Sequence, residues 1–377
     1  MRGKMYIPLV DLKREYTFLK RDVHKNITLL LKKHQWVLGP FLSKFEKQVA
    51  NYLGARYAVG VASGTDALVL ALRAMAYKFR KKDSFDRRDE IITTPLTFIA
   101  TAEAIMRVGA TPVFVDVDTE TFNISPAAVE KALTKNTVGI LPVHLYGKAS
   151  DMAKIMSVAR KYGLFVVEDT AQAFGGEYNG KKLGTIGHMG VYSFFPSKNL
   201  GGYGDGGLVV TSSKILADYV RILRNHGQVK PYIADYLGYN SRLDSFQAAI
   251  LLAKLKYIDR FNKMRKKFAR IYDEGFCDVK EIVIPSRENN VYHLYTIRVL
   301  RDRDGLLLRL NQKGIGARVY YPVLLPHMKA FNKCIIGGSI RYAKRLVKEI
   351  ISLPLHPFLK DIEVEYVIRE IRQFFNA

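Results

Sequence analysis

The sequence predicts an α/β protein: a seven-stranded, mainly parallel sheet with helices on both faces, followed by a smaller α+β domain. Two observations predict this class. Apolar runs rich in β-branched residues recur through residues 56–211, and amphipathic helical patterns separate most of them. Strands that are apolar throughout are buried on both faces, as in a parallel sheet covered by helices. The pattern changes near residue 245, so we predict a large domain over residues 1–245 and a small one over residues 246–377.

The predicted elements of the large domain alternate between strands and helices, as expected of parallel strands joined by crossovers. The strands cover residues 56–62, 90–95, 111–117, 137–145, 164–169, 189–195 and 207–211. The helices between them cover residues 65–77, 99–108, 126–133 and 151–162.

The remaining residues predict a different arrangement, in which helices dominate and strands are isolated. Long helices come first, over residues 244–255 and 257–276. Two strands follow over residues 292–300 and 317–322, with helices over residues 301–313, 340–350 and 362–375. Separated strands among helices indicate an α+β domain.

The composition excludes several classes of protein. The 377 residues are 48% apolar and 25% charged, which is an ordinary globular mixture. No window approaches the ~20 apolar residues of a membrane span, and the first residues lack the apolar core of a signal peptide. The two cysteines, Cys277 and Cys334, have no metal-ligand spacing. We therefore expect a cytoplasmic protein with no metal site and no contact with membranes.

The net charge points to anionic partners. Fifty-nine Lys and Arg against 35 Asp and Glu give a charge of +24. Such a surplus favours nucleic acid, anionic lipid or phosphorylated small molecules. The basic residues are scattered, and the one dense stretch, residues 263–270, fits a solvated helix face better than a nucleic-acid patch. The charge therefore indicates a preference for anions without naming one, and we expect no nucleic acid among the partners.

Ligands of an open parallel sheet bind beyond the carboxyl ends of its strands. The strand over residues 56–62 is followed by Ser63, Gly64 and Thr65 at a helix start, which is either an ordinary N-cap or a phosphate seat. Phe98 follows the strand over residues 90–95, where an aromatic ring either stacks on a planar ligand or belongs to the core.

Two further strand ends bring ionisable groups to the same edge. Glu168 and Asp169 are adjacent, so at most one of them faces a given pocket. It could cap a helix, bind a metal or pair with a protonated ring nitrogen, and the lack of metal-like spacing argues against the metal. Lys198 precedes five glycines in residues 201–207, which match neither phosphate-loop nor dinucleotide motifs. A lysine among buried strands readily loses its proton and becomes a nucleophile.

Together these strand ends supply what pyridoxal 5′-phosphate (PLP) requires. A lysine amine can form a Schiff base with its aldehyde, a carboxylate can keep its ring nitrogen protonated, and a helix N-terminus can hold its phosphate. The joint placement of these residue types therefore predicts a PLP enzyme.

The same stretches resemble the nucleotide-sugar aminotransferases of the DegT/StrS type, from about residue 8 to beyond residue 322. They are ASGTDAL (62–68), TFIAT (97–101), PVFVD (112–116), EDTAQ (168–172), SFFPSKNL (193–200) and GYNSRLD (238–244). The resemblance implies the fold-type I aminotransferase architecture, with a seven-stranded sheet and a small C-terminal domain, and a homodimer.

The resemblance also implies individual roles. Lys198 would form the Schiff base and move the proton between the donor's Cα and C4′ of the cofactor, while Asp169 would pair with the pyridine nitrogen. Gln172 would lie near the ring hydroxyl and Phe98 would stack on the ring.

The phosphate contacts implied by the resemblance come from two subunits. The residues are Gly64, Thr65 and Ser193 of one subunit and Asn240 of the other. Each active site would then need both chains.

The implied reaction is transfer of the amino group of L-glutamate to a nucleotide-linked keto sugar by a ping-pong mechanism. Some relatives replace the lysine by histidine and are sugar dehydratases, whereas Lys198 is present here. The stretches VHLYG (143–147) and LRNHG (223–227) resemble the branch that aminates C3 of dTDP- or UDP-linked 3-keto sugars. The alternatives are a C4 aminotransferase, a PLP-dependent dehydratase, and a nucleic-acid or membrane-surface binding protein on a retained scaffold.

The sugar site is the least defined by the resemblance. His226 and Lys230 either contact the sugar or its diphosphate, or belong to a surface loop. Relatives often carry His-Tyr-Pro where this chain has Tyr320, Tyr321 and Pro322, so we expect a different sugar pocket. His144 fits a hydrogen-bonded core histidine better than a substrate contact.

Overall fold

The computed structural model describes residues 6–376 of the chain. Its helices are α1 Leu12–Lys33, α2 Pro40–Leu53, α3 Gly64–Arg80, α4 Ala100–Arg107, α5 Pro126–Lys131, α6 Met152–Lys161, α7 Lys214–Leu223, α8 Ser245–Leu255, α9 Ile258–Phe276, α10 Arg303–Gln312, α11 Arg341–Glu349 and α12 Asp361–Phe375. Its strands are β1 Tyr57–Val61, β2 Glu90–Thr93, β3 Thr111–Phe114, β4 Thr137–Ile140, β5 Phe165–Asp169, β6 Glu177–Tyr178, β7 Lys181–Lys182, β8 Met189–Ser193, β9 Gly207–Thr211, β10 Gln228–Lys230, β11 Ile233–Ala234, β12 Ile282–Val283, β13 Tyr295–Val299, β14 Ile335–Ile336 and β15 Ile350–Leu353.

The main sheet contains all seven strands predicted for the large domain. Its order is β1-β9-β8-β5-β4-β2-β3-β14. The strands β8, β5, β4, β2 and β3 run parallel, and β9 is antiparallel to both of its neighbours. The mainly parallel α/β architecture is therefore confirmed.

Helix α3 is the central helix of this domain. Its N-cap Ser63 accepts a hydrogen bond from the N–H of Asp66 at 3.0 Å, which satisfies one of the free donors of the first turn. All residues from 67 to 76 are buried, because α3 lies between the sheet and the helices α4 and α7. A helix that is apolar on most of its surface is expected only at such a position.

Two expectations about the sheets were wrong: the number of strands in the main sheet, and the strand predicted over residues 317–322. An eighth strand, β14, comes from the C-terminal part of the chain and pairs in parallel with β3 through Ile335 and Val113. Residues 317–322 are not a strand, since only Arg318 forms a bridge, to Ser352. The place beside β13 is taken by β15, which begins directly after α11 inside the helix predicted over residues 340–350.

The C-terminal part forms a second apolar core around a three-stranded antiparallel sheet, β12-β13-β15. Helices α9, α10 and α12 cover this sheet, with Tyr272, Leu306 and Val367 in the core between them. The domain boundary near residue 245 stays a prediction. Leu346 and Ile350 pack in the core of the main sheet, so the C-terminal part is joined to it by packing as well as by chain connection.

The helices α1, α2 and α7 were not predicted, and α1 and α2 have clear local reasons to form. In α1 the side chains of Leu19, Val23 and Leu30 form a buried stripe at helical spacing. Helix α2 begins at Pro40 and ends at Leu53, and Gly54, which follows it, has a φ of 68°. Proline at the first position and glycine after the last are the usual ends of a helix.

Residues 6–376 contain neither a candidate membrane span nor a candidate metal-binding cluster. No helix in that range is both long and apolar enough to cross a bilayer. No group of three or more His, Cys, Asp or Glu side chains there could hold a metal ion.

A buried ion pair joins α1 to α8. Nζ of Lys254 lies 2.6 Å from Oε1 of Glu15, and the Lys254 side chain has no exposed surface. Burial lowers the pKa of Lys254, and the charge and hydrogen bond of Glu15 oppose that shift. Each charge therefore depends on the other, since an unpaired buried charge is strongly unfavourable.

Lys254→Met should lower the free energy of unfolding by about 3–5 kcal/mol, because it leaves the Glu15 carboxylate buried without its partner. The double variant with Glu15→Leu should recover most of that loss. Urea unfolding followed by circular dichroism measures both. As a control, Lys214→Ala removes an exposed pair with Asp218 and should change stability by less than about 0.5 kcal/mol. Equal midpoints for Lys254→Met and Lys214→Ala would contradict the prediction.

Candidate active site

A cavity of about 470 Å³ opens at the carboxyl ends of the parallel strands. The strand ends that surround it are those of β1, β5 and β8, together with the first turn of α3. It contains most of the residues predicted for the site. They are Gly64, Thr65, Phe98, Asp169, Gln172, Ser193, Lys198, Tyr320 and Tyr321.

Lys198 lies in a tight turn directly after β8. Its backbone N–H donates to the carbonyl oxygen of Phe195 at 2.8 Å, which turns the side chain into the cavity that it lines. Burial lowers the pKa of Lys198 to about 8, and the negative charge of Asp169 opposes this shift. A substantial fraction of the amine is therefore neutral and nucleophilic near physiological pH.

Asp169 is the last residue of β5 and is 5% exposed. Its carboxylate accepts hydrogen bonds from Oγ1 of Thr101 at 2.9 Å and from the N–H of Ala171 at 3.2 Å. Burial raises the pKa of Asp169, while these two bonds and the charge of Lys198 oppose the rise. A cationic partner inside the cavity would stabilise the ionised form further.

The neighbouring acid, Glu168, points to the opposite face of the sheet, as the alternation of side chains requires. It accepts hydrogen bonds from the N–H groups of Gly184, Ile186 and Gly187 at 2.6–2.8 Å. Glu168 therefore holds a loop in place, and only Asp169 faces the cavity.

His144 is a core residue with no exposed surface. Its Nδ1 accepts from the N–H of Ser150 at 3.0 Å, so the ring proton is on Nε2, which lies 3.1 Å from Oε2 of Glu168. Both ring nitrogens are hydrogen-bonded inside the protein. The interpretation of His144 as a satisfied core histidine is confirmed.

The first turn of α3 forms one end of the cavity. The oxygens of Ser63 accept from the N–H groups of Asp66 and Ala67. The N–H groups of Gly64 and Thr65 come before these in the chain and are left for a ligand. A Cβ on Gly64 would lie 2.7 Å from Cβ of Ser193. The close approach of α3 to β8 therefore requires glycine, and it creates a seat for an anion.

Gln172 and two aromatic residues line the cavity beside Asp169. Oε1 of Gln172 accepts from the N–H of Tyr146 at 2.7 Å, and its Nε2 donates to Oη of Tyr321 at 3.0 Å. Burial, and then the charge of Asp169, raise the pKa of Tyr321, which therefore keeps its proton. The Phe98 ring is half-exposed and lies 6.0 Å from that of Tyr321, so it offers a free face to a planar ligand.

Three predicted residues lie outside the cavity of their own chain. Asn240, His226 and Lys230 are all exposed and do not line it. They belong to the segment around β10 and β11, where Tyr232 is 97% exposed and Leu237 is 84% exposed. Their proposed contacts with phosphate and sugar stay predictions.

Several cavity residues were not assigned to the site by the sequence analysis, among them Thr101, Asp205 and His293. His293 precedes β13 and lines the cavity although it is distant from Lys198 in the sequence. A single histidine in an apolar stretch usually belongs to the core, so only the three-dimensional structure reveals its position.

Comparison with known proteins finds relatives that match nearly the whole chain. A 3-aminotransferase of UDP-N-acetyl-3-dehydro-alpha-D-glucosamine from Acidithiobacillus ferrooxidans is 41% identical, over 98% of each chain. A dTDP-3-amino-3,4,6-trideoxy-alpha-D-glucose transaminase from Streptomyces venezuelae is 37% identical, over 98% of this chain and 96% of its own. The crystal structure of S. venezuelae DesV in complex with a ketimine intermediate superposes with a TM-score of 0.92 at 37% identity, covering 98% of each chain.

The sequence profile of the DegT/DnrJ/EryC1/StrS aminotransferase family matches residues 18–372. The match spans the main sheet, the cavity and the C-terminal part. The superposition on a solved aminotransferase also supports the fold-type I architecture over nearly the whole chain. This chain belongs to the DegT/DnrJ/EryC1/StrS aminotransferase family.

Proposed function

We propose that this protein is a PLP-dependent aminotransferase that moves the amino group of L-glutamate to C3 of a UDP- or dTDP-linked keto sugar. The observation that supports it most is the single cavity that joins the Lys198 amine, the Asp169 carboxylate and the open first turn of α3. The choice of C3 rests on the two relatives described above, whose names specify a 3-dehydro or a 3-amino sugar. The charge of +24 suits substrates that carry a diphosphate or a dicarboxylate.

The residues of the cavity fit PLP in chemistry and in space. The N–H groups of Gly64 and Thr65 and the hydroxyl of Ser193 lie together at one end, where they can bind the phosphate. A Cβ on Gly207 would lie 2.1 Å from the carbonyl oxygen of Ser63, so this end is shaped by glycines on both sides. When bound, PLP supplies an aldehyde carbon and an electron-withdrawing ring.

Lys198 has two tasks in this proposal. Its neutral amine binds the cofactor covalently, which its pKa of about 8 permits at physiological pH. With a donor bound, Nζ of Lys198 would take the proton from Cα of the donor and would return a proton later in the same half-reaction. The same groups act in reverse order on the keto sugar.

Asp169 and its neighbours hold the cofactor ring in the required state. The Asp169 carboxylate could accept a hydrogen bond from the protonated ring nitrogen, while Thr101 and Ala171 fix the orientation of the carboxylate. The Phe98 face and the Gln172 amide can contact the plane and the edge of the ring. Apolar and aromatic side chains form most of the remaining wall of the cavity, which limits the access of water to it.

The exposed segment around Asn240 supports a homodimer. Side chains as large as Tyr232 and Leu237 are almost fully exposed there, and exposed apolar patches of this kind mark interaction sites. Ser241 next to Asn240 donates to Oδ2 of Asp66 at 2.7 Å, so this segment is tied to the first turn of α3. We infer that Asn240 reaches the phosphate seat of the partner subunit.

The proposed reaction is tested by incubating the protein with L-glutamate and matched panels of 3-keto and 4-keto sugars linked to UDP and dTDP. Mass spectrometry should detect amination of 3-keto sugars only, with one 2-oxoglutarate formed for each amine transferred. Amination confined to 4-keto sugars would contradict the C3 assignment. Loss of oxygen without gain of nitrogen would identify a dehydratase instead.

The shifted pKa of Lys198 has a direct consequence for cofactor-free enzyme. The rate at which Lys198 captures PLP should rise with pH through a midpoint at about pH 8 and level off at higher pH, because only the neutral amine reacts. Asp169→Asn should move the midpoint to lower pH, since the Asp169 charge raises the pKa of Lys198. Stopped-flow absorbance of the imine measures both rates.

The control for this measurement is Asp205→Asn, which removes another carboxylate that lines the cavity. Asp205 is not among the causes of the Lys198 shift, so the midpoint should stay at about 8. A wild-type midpoint near 10.5, the ordinary value of lysine, would show that Lys198 is not buried in solution.

The shared active site is tested by mixing two inactive variants. Lys198→Ala should lose about 10²–10⁴-fold in kcat because it lacks the proton-moving amine. Asn240→Asp should lose activity because it places a negative charge beside the partner's phosphate. Co-expression should restore about a quarter of the wild-type activity, since half of the dimers are hybrids with one intact site of two. No recovery in hybrid dimers would show that Asn240 does not serve the partner.

A further inference from the structure

The turn that carries Lys198 is joined to other parts of the protein by the residue that follows it. Within the turn, the N–H of Lys198 donates to the carbonyl oxygen of Phe195 at 2.8 Å, and the N–H of Gly202 donates to that of Phe194 at 2.6 Å. These two bonds stay within residues 194–202. Asn199 is 4% exposed, and its side chain leaves the turn and contacts other segments of the chain.

Both N–H bonds of the Asn199 amide are used. Nδ2 of Asn199 donates to Oδ1 of Asn262 at 2.9 Å and to the carbonyl oxygen of Val291 at 3.4 Å. Oδ1 of Asn199 lies 3.2 Å from Nδ1 of His293, and this nitrogen must be the donor because an amide oxygen can only accept. The amide therefore joins the lysine turn to helix α9 and to the segment just before β13.

Asn262 extends the same network to the segment that follows β5. It is 6% exposed, and its Nδ2 donates to the carbonyl oxygen of Phe174 at 3.1 Å. Phe174 comes shortly after Asp169, the last residue of β5. The two amides therefore connect the segments that carry Asp169 and Lys198, in addition to the pairing of β5 with β8.

A buried amide network of this kind fixes one arrangement of the turn. Backbone carbonyls only accept hydrogen bonds, so each of the two amides has one possible orientation. Displacement of the turn would leave buried donors and acceptors without partners, which is strongly unfavourable. The apolar packing of Leu200 also holds the turn, but apolar contacts have no preferred direction. The amides therefore supply the directional part of the anchoring.

We propose that Asn199 and Asn262 are positioning residues for Lys198: their amides hold the lysine turn against α9, so that the Lys198 amine stays inside the cavity and out of water. Neither amide lines the cavity, so both act on the reaction through the backbone of the turn. This inference rests on the proposed function for the role of Lys198.

The pH at which Lys198 reacts shows whether its amine is enclosed. Burial is the main cause that lowers the pKa of Lys198 to about 8, and the charge of Asp169 opposes it. If the turn loosens, water reaches the amine, and the pKa of Lys198 rises toward 10.5, the ordinary value of lysine. General destabilisation of the fold would not produce this rise while the protein stays folded.

The charges around the amine are the same in variants of the two asparagines, because an amide carries no net charge. Burial lowers the pKa of His293 well below 6.5 and raises that of Tyr321, so both side chains are neutral near pH 8. The substitutions leave in place all the other ionisable side chains of the cavity, which are Asp169, Asp205, His293, Tyr320 and Tyr321. A shift in the reactivity of Lys198 therefore reports the enclosure of its amine.

Asn199→Ala should raise the midpoint of PLP capture by cofactor-free enzyme by about one pH unit, which means about tenfold less neutral amine at pH 7. Asn262→Ala should raise it by about half a unit, because Asn199 keeps its bonds to Val291 and His293. The double variant should stay within about 0.2 units of Asn199→Ala, because both substitutions remove the same network. Stopped-flow absorbance measures the midpoints.

Leu306→Ala is the matched control for loss of stability. Leu306 is buried in the core of the C-terminal part, so this variant should lower the thermal midpoint at least as much as either amide variant. Its midpoint of PLP capture should stay at about 8. The proposal is overturned if the amide variants fold and keep a midpoint near 8, or if Leu306→Ala shifts it as far as Asn199→Ala does. If Asn199→Ala does not fold, Asn262→Ala alone decides.

Failure of the proposed function is detected separately, because capture of PLP needs no sugar. Wild-type protein that captures PLP but aminates no sugar contradicts the proposed function, and the shifts in the variants still support or overturn this inference. Wild-type protein that captures no PLP at any pH overturns both.

Discussion

The hydrogen-bond register at one edge of the main sheet is the constraint on which the active site depends. Gly207 pairs with Val61 in β1 and with Ser193 in β8, while Asp169 of β5 pairs with Val191 of β8. This register places the phosphate seat, the lysine turn and the acid side by side although they are far apart in sequence. A slip by one residue would turn every side chain to the opposite face.

Two adjacent acids in β5 have different surroundings because their side chains lie on opposite faces of the sheet. Glu168 is fully buried, and three backbone N–H groups and His144 satisfy its carboxylate. Within residues 6–376, the Asp169 carboxylate receives two hydrogen bonds, from Thr101 and Ala171. A buried carboxylate with spare acceptor capacity is unfavourable unless a cation or donor joins it. The Asp169 carboxylate therefore has acceptor capacity left for a ligand, whereas that of Glu168 is used within the protein.

Local patterns in the sequence were sufficient to predict seven strands of the main sheet and most of the predicted site residues that line the cavity. Apolar runs and strand-end motifs each consist of consecutive residues, so they are visible in the sequence. Features that depend on distant pairing were not predictable in this way. Residues 317–322 have the composition of a strand, yet β15 occupies the place beside β13. The two residues of β14 are too few to form a pattern. The His293 ring contacts the side-chain amide of Asn199, which in turn donates to that of Asn262. These residues are far apart in the chain, so no local pattern reveals the arrangement.

The pairing of β14 with β3 has a mechanical consequence for the enzyme. After leaving the small sheet, the chain crosses back to the edge of the large one, and the carboxylate of Asp116 then holds the N–H groups of Tyr342 and Ala343 at 3.0 and 2.9 Å. The C-terminal part is thus anchored at two places far from residue 245. Rotation about a single hinge would have to break both anchors, so substrates must enter and leave past side chains and loops at the mouth rather than through the swing of a whole lobe.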